Sequence, residues 1–173
     1  MTKRAIPVVA GQRVRLRLLT EADLPMTLAW RNQDHIRKWF LNPNLITPEE
    51  HRAWFSKYMV RDDDFVFVIE EQQALRKPVG QVSLYRIEWQ RRCAEYGRLL
   101  IGEPDAVGLG LAREATAVLI EHASTQLGLH EIELEVLHEN ERALAIYRAC
   151  GFQTVAERDG VLKMVWRVLR RPE

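Results

Sequence analysis

Gly108-Leu109-Gly110-Leu111-Ala112 is the stretch of this sequence best suited to hold an anion. Two glycines one residue apart open an amphipathic run from Leu109 to Leu127. Its apolar residues, Leu111, Ala115, Val118, Leu119, Ala123 and Leu127, recur at a helical period. Just upstream, residues 95–101 read as a strand. A strand, a glycine turn and a helix N-terminus together form an anion cradle, where free backbone N–H groups point outward and the helix dipole favours negative charge. Glycine lets a phosphate approach the backbone closely. The same pattern also serves as a plain packing turn, and these residues alone leave both readings open. Metal chemistry is not indicated. No pair among the histidines has ligand spacing, and Cys93 and Cys150 lack it too. His122 and His130 read as exposed residues, on a helix and at a strand edge.

The elements that position this loop follow from periodicity. Residues 13–19 alternate Arg-Val-Arg-Leu-Arg-Leu-Leu, giving a half-exposed first strand. Thr20-Glu21-Ala22-Asp23 starts a helix that runs to about Asn32, with Pro25 near its first turn. Thr47-Pro48-Glu49-Glu50 announces a second helix: cap, proline at the first helical position, acids in the first turn. Residues 65–69 are a buried strand by their aromatic and β-branched content. A turn near Arg76-Lys77-Pro78 leads into a long strand over 80–91. After the long helix, Gly128 is a C-cap, and residues 131–136 alternate as a strand with one acidic face. Asn140 to Cys150 is a helix closed by Gly151. Residues 152–157 and 161–169 form a hairpin around Arg158-Asp159-Gly160. The order predicts an α/β (α+β) chain whose mixed, mostly antiparallel central sheet has about seven strands, flanked by about four helices.

The 173 residues suit one domain, expected over 12–171, behind a flexible tail at 1–11. A net charge of +1 argues against a nucleic-acid surface or an acidic tail. No apolar run reaches membrane-spanning length, and the N-terminus lacks a signal-peptide core. Two cysteines without a framework point to a reduced compartment. The expectation is a soluble cytoplasmic protein with no nucleic-acid or membrane partner.

A second motif changes the weight of the first. Asn140, Ala143, Tyr147, Gly151 and Phe152 stand directly after a strand in the pattern Asn-x-x-Ala-x-x-x-Tyr-x-x-x-Gly-Phe. With the strand–glycine loop–helix unit before it, the sequence resembles the GNAT superfamily of acyl-CoA N-acyltransferases over essentially its whole length. The resemblance implies a GNAT fold in which two parallel strands, 95–101 and 131–137, splay apart around the pantetheine arm of acetyl-CoA. The pyrophosphate would sit on the backbone N–H groups of Val107, Gly108, Leu109, Gly110, Leu111 and Ala112. A backbone N–H near Leu100 or Ile101 would polarise the thioester carbonyl. Asn140, beside Ala143, would bond the pantetheine or hold the splay open. Tyr147 would protonate the departing thiolate. Glu95 would take the proton of the acceptor amine, directly or through water, with Glu135 and His138 as rivals; alternatively it is a strand-end residue paired with an arginine. One departure stands out: Asp105 and Ala106 replace the Gln or Arg and the glycine usual before the loop, and a carboxylate there opposes a pyrophosphate unless it turns away.

The acceptor side is expected on the N-terminal helices. Trp30-Arg31-Asn32, Ile36-Arg37-Lys38-Trp39-Phe40, Glu50-His51 and Trp54-Phe55 resemble the branch that acetylates the amino group of a nucleotide-linked sugar, of the pseudaminic-acid-pathway type. In that reading Arg31, Arg37 and Lys38 meet a diphosphate, Trp39 or Trp54 stacks on a base or sugar, and Asn32 and His51 belong to the same substrate site. Trp30 and Phe55 read better as core. The chain is also similar to the ribosomal-protein N-terminal acetyltransferase branch, and the acidic face of Glu131, Glu133 and Glu135 suits a peptide or polyamine amine. A non-enzymatic acyl-CoA sensor is the reading from another class. The expected partner is a small-molecule amine, in a monomer or homodimer, with the hairpin at 161–169 as a candidate dimer surface.

Overall fold

The computed structural model describes residues 2–169. One eight-stranded sheet runs through the molecule in the order β1-β2-β3-β4-β5-β6-β8-β7. Its strands are β1 (Val9–Ala10), β2 (Val14–Leu18), β3 (Phe65–Glu71), β4 (Lys77–Glu88), β5 (Cys93–Ile101), β6 (Glu131–Leu137), β7 (Gln153–Arg158) and β8 (Val161–Arg167). Five α-helices accompany them: α1 (Leu24–Arg31), α2 (Asp34–Arg37), α3 (Pro48–Tyr58), α4 (Leu111–Thr125) and α5 (Glu141–Ala149). All strand pairs are antiparallel except β5–β6. The sheet therefore has one more strand, and the chain one more helix, than the periodicity predicts. β1 and α2 are too short to carry a period of their own.

Alternation along β3 shows why the sheet is covered on both faces. Phe65, Phe67 and Ile69 enter a core shared with Ala115 and Leu119 of α4 and Leu144 of α5. Val66 and Val68 enter a second core with Leu24 of α1 and Phe55 and Tyr58 of α3. Successive side chains of a strand point to opposite faces, so a strand buried throughout needs helices on both. Thr47 caps α3 with a reciprocal box: its hydroxyl accepts from the Glu50 N–H at 3.1 Å, and the Glu50 carboxylate accepts from the Thr47 N–H at 2.8 Å.

Two expectations are corrected. The turn expected at Arg76-Lys77-Pro78 ends earlier, because Pro78 already pairs with Glu70 in the ladder. The expected flexible tail is docked. Val9 and Ala10 pair with Leu16 and Arg15, Ile6 and Val9 are buried, and Arg4 grips Asp62 at 2.8 Å while lying 3.4 Å over the Trp89 ring. Residues 170–171, the end of the expected domain, lie outside the described residues.

Candidate active site

The parallel pair closes for only three rungs, Cys93 with Glu131, Ala94 with Ile132 and Glu95 with Glu133. Beyond them β5 stays on β4 and β6 stays on β8, so the two strands part. Backbone groups that face the gap have no strand partner there, an arrangement that demands an occupant with its own donors and acceptors. A bulge drives the parting. The β4–β5 register slips between Gly97 and Leu100, and Arg98 takes φ 53°, an uncommon conformation for a residue with a side chain. Its guanidinium holds the carboxylate of Asp64 at 2.7 and 3.2 Å and lies 4.4 Å from the Tyr85 ring centre.

A cleft of about 670 Å³ opens along this gap. Of the expected residues it brings together Glu95, Leu100, Ile101, Val107, Gly108, Gly110, Leu111, Ala112, Asn140, Ala143, Tyr147 and Trp39, with Glu135 also on its wall. The anion end is the start of α4. Gly108 and Gly110 have φ 80° and 76°, and a Cβ on Gly108 would meet nothing within 4 Å, so that side of the loop is open. The loop is braced from behind: Arg13 donates to the Leu109 carbonyl at 2.7 Å, and Glu114 accepts from the N–H groups of Arg13 and Val14 at 3.0 and 2.7 Å. Leu109 itself is exposed and off the cleft wall, since its carbonyl is turned to Arg13. Asp105 turns away from the cradle onto Lys77 at 2.9 Å, where Glu103 also binds at 3.2 Å. The cleft instead meets Arg113 and Arg142. A 15-residue helix with open glycines at its start and two guanidiniums on the cleft wall fits a diphosphate.

At the middle of the cleft Tyr147 is fixed by aromatic contacts, edge-on to Tyr96 and Phe152 at 5.8 and 5.9 Å. Tyr96 is locked in turn by a 2.7 Å bond with the Thr116 hydroxyl. Burial pushes the Tyr147 phenol above the usual tyrosine range, so it stays protonated. Asn140 caps α5, its Oδ1 accepting from the Ala143 N–H at 3.2 Å. Glu95 accepts from Arg86 at 2.8 Å, the arginine pairing weighed as its alternative, although Arg86 is 70% exposed and easily displaced. Tyr85, raised mainly by burial and then by the Glu95 carboxylate, stands beside it. Of the rivals, Glu135 lines the cleft, whereas His138 faces the Gly160 carbonyl at 3.2 Å. Glu131 and Glu133 of the acidic face are neutralised by Arg167 and Lys163 on β8.

Of the expected acceptor residues Trp39 lines the cleft, whereas Arg31, Asn32, Arg37, Lys38, His51 and Trp54 do not. Arg31 is buried under Phe40, Asn32 bonds the backbone of Ile46, and His51 stacks on Trp54 with its Nε2 3.4 Å from the Thr27 hydroxyl. Trp30 and Phe55 are core. His122 is half-buried rather than exposed, and burial lowers its pKa as it does that of His51. Sequence reasoning missed Tyr85, Arg98, Arg113 and Arg142 on the wall. Arg113 and Arg142 stand in the first turns of the two motif helices, and that position was the available signal. Nothing in the sequence marks the bulge that turns Arg98 inward.

Similarities to known proteins bear on this arrangement. A family model described as an acetyltransferase (GNAT) domain matches residues 13–153. Spermidine N(1)-acetyltransferase of Vibrio cholerae is 29% identical over 142 residues, covering 82% of this chain and 80% of that protein. Its Escherichia coli K12 counterpart is 31% identical over 145 residues, covering 83% and 75%. The fold matches a crystal structure of the Vibrio cholerae enzyme with CoA and spermine at TM-score 0.79 and 27% identity, over 90% of this chain and 95% of that one. A further structure of that enzyme is dodecameric, with TM-score 0.73 and 26% identity over 90% and 94% of the two chains.

Proposed function

The chain belongs to the GNAT acetyltransferase family, and from that premise we propose that it transfers the acetyl group of acetyl-CoA directly to a primary amine of a small molecule, with a polyamine of the spermidine type as the leading acceptor. The observation that carries the acetyl-transfer reading is the parting of β5 from β6 between the glycine-led start of α4 and the phenol of Tyr147. For the acceptor, the spermidine acetyltransferase relatives and the two carboxylates on the cleft wall, Glu95 and Glu135, support a cationic substrate.

Each residue has a stated task. The N–H groups from Val107 to Ala112, Leu109 contributing backbone only, hold the pyrophosphate. Acetyl-CoA supplies an activated thioester. A backbone N–H at Leu100 or Ile101 donates to its carbonyl oxygen as charge develops there. Glu95 exchanges Arg86 for the incoming ammonium and takes its proton, and Tyr147 gives a proton to the sulfur as the C–S bond breaks and the C–N bond forms. Nitrogen gives up two protons between ammonium and amide, one through Glu95 to solvent and one matched by the proton that Tyr147 gives to sulfur, so each turnover releases one proton.

A nucleotide-linked amino sugar remains as the second reading on one observation. The guanidinium of Arg31 lies 4.2 Å from the Phe40 ring, directly behind the cleft wall, with no carboxylate partner among the described residues. That positive charge favours an acceptor with an anionic part. Thiol release from acetyl-CoA with spermidine, an N-terminal peptide and a UDP-linked 4-amino sugar separates the cases. Turnover with spermidine alone upholds the leading reading, and turnover only with the sugar nucleotide replaces it with the second. Silence with all three overturns the assignment of a primary-amine acceptor of these classes.

A further inference from the structure

The segment from Trp39 to Ile46 joins α2 to α3, and its first four residues, Trp39, Phe40, Leu41 and Asn42, form one wall of the cleft. Trp39 and Phe40 are tied to α2 by backbone bonds to Ile36 and Arg37 at 3.1 Å each. From Leu41 to Leu45 no backbone–backbone bond is made to the rest of the protein, among the described residues. Three side chains of α1, its C-cap and α2 hold the segment instead. Arg31 donates to the Asn42 carbonyl at 2.5 Å and stacks under Phe40. Arg37 donates to the Pro43 carbonyl at 2.8 Å. Asn32 bonds Ile46 in both directions, its amide donating to the carbonyl at 2.8 Å and accepting from the N–H at 3.0 Å.

We propose that Arg31, Asn32 and Arg37 are positioning residues that set acceptor recognition through this strap: they fix the backbone of Asn42, Pro43 and Ile46 so that Trp39 to Asn42 stand as the acceptor wall. This rests on the acetyl-transfer reading. The strap has no ladder or helical bonds of its own over five residues, so its position depends on these three anchors. Arg31 is 9% exposed, and its Nη1 has no partner. A buried cation without a counter-ion is costly to keep, and what it holds here is the strap: the Asn42 carbonyl and the Phe40 face. Phe40 of the strap packs with Ile36 and Leu100, and no backbone bond joins the strap to residues 107–112 among the described residues, so loosening it is expected to disturb the amine and leave the diphosphate end in place.

The test is steady-state kinetics of Asn32→Ala and Arg37→Ala with the best amine found for the wild-type chain, with thermal melts alongside. Misplacing a positioning wall costs on the order of tenfold or more, so acceptor KM rises by about that factor in each variant. KM for acetyl-CoA stays within about twofold, because uniform binding at the other end is untouched. Asn32→Asp, which keeps the acceptor for the Ile46 N–H but loses the amide donor, falls between Asn32→Ala and wild type. Arg37 is at the surface end of the strap, so Arg37→Ala keeps the proposal open to refutation if Asn32→Ala does not fold. Folded variants with unchanged acceptor KM, or with acceptor and acetyl-CoA KM rising in parallel, overturn it. A wild-type chain that releases no thiol with any amine refutes the acetyl-transfer reading itself and takes the strap's role down with it.

Discussion

At the scale of single residues, Tyr147 carries the sharpest expectation. Its hydroxyl lies in the cleft on a ring held from two sides, so Tyr147→Phe removes the proton donor and little else. Turnover falls by roughly two orders of magnitude or more, the usual range for a lost general acid, while KM for acetyl-CoA moves little. A variant with wild-type kcat reduces Tyr147 to packing. His51 has a different consequence. Burial lowers its pKa from 6.5, so below that value the unfolded chain binds a proton that the folded chain refuses. Its contribution to stability is therefore full above 6.5 and is lost as pH falls through the lower folded value, and His122 acts in the same direction. Melting temperature followed from pH 7 down to about 5 shows this as a falling limb. The limb is shallower in His51→Gln, and an unchanged slope refutes the assignment.

At the scale of elements, the bulge in β5 does the most. Arg98 occupies a left-handed conformation in mid-strand because its side chain reaches the carboxylate of Asp64, which is only 3% exposed. Arg98→Ala leaves that carboxylate buried without its ion-pair partner and is expected to cost about 3–5 kcal/mol in denaturant unfolding. Arg98→Ala combined with Asp64→Ala costs less than the sum of the two single changes, since each removes the same pair. Additive effects would mean that the pair does not hold the bulge. The β6–β8 ladder, with seven rungs and two ion pairs, keeps β6 away from β5 on the other side. The gap is thus a product of strand pairing on both flanks.

Across the whole molecule, the N-terminal arm ties the end of α3 to the turn between β4 and β5. Lys3 lies 3.4 Å over the Tyr58 ring and donates to the carbonyls of Tyr58 and Asp64, and Arg4 bridges Asp62 and Trp89. Burial lowers the Lys3 amine to about 8. Deleting residues 2–10 exposes Tyr58, Trp89 and the edge of β2. The expected result is a melting temperature lower by several degrees, about 2–4 °C for each kcal/mol at this size. The acetyl-CoA KM should hold, because the family match begins only at residue 13 and the cleft lies elsewhere. An unchanged melting temperature shows that the arm adds no stability. No described helix is long and apolar enough to cross a membrane.

What the sequence determined by itself was whatever depends on local period and local chemistry. The alternation of 131–136, the helical stripe from Leu111 to Leu127 and the Thr47 capping box each report a backbone conformation that needs no distant partner. The two motifs, Gly108 to Ala112 and Asn140 to Phe152, were legible for the same reason, because each joins a strand to a helix start. Only the tertiary structure decided which long side chains face the cleft. Arg31, Asn32 and His51 are the residues expected to face the acceptor, yet Arg31 and Asn32 found backbone carbonyls of the strap, and His51 found Trp54 and Thr27. Asp105 found Lys77, 28 residues away, and Glu95 found Arg86 across a bulged ladder. A charged or amide side chain satisfies itself with the nearest partner that folding brings within about 3 Å, and that partner is set by strand register and bulges, which have no local signature.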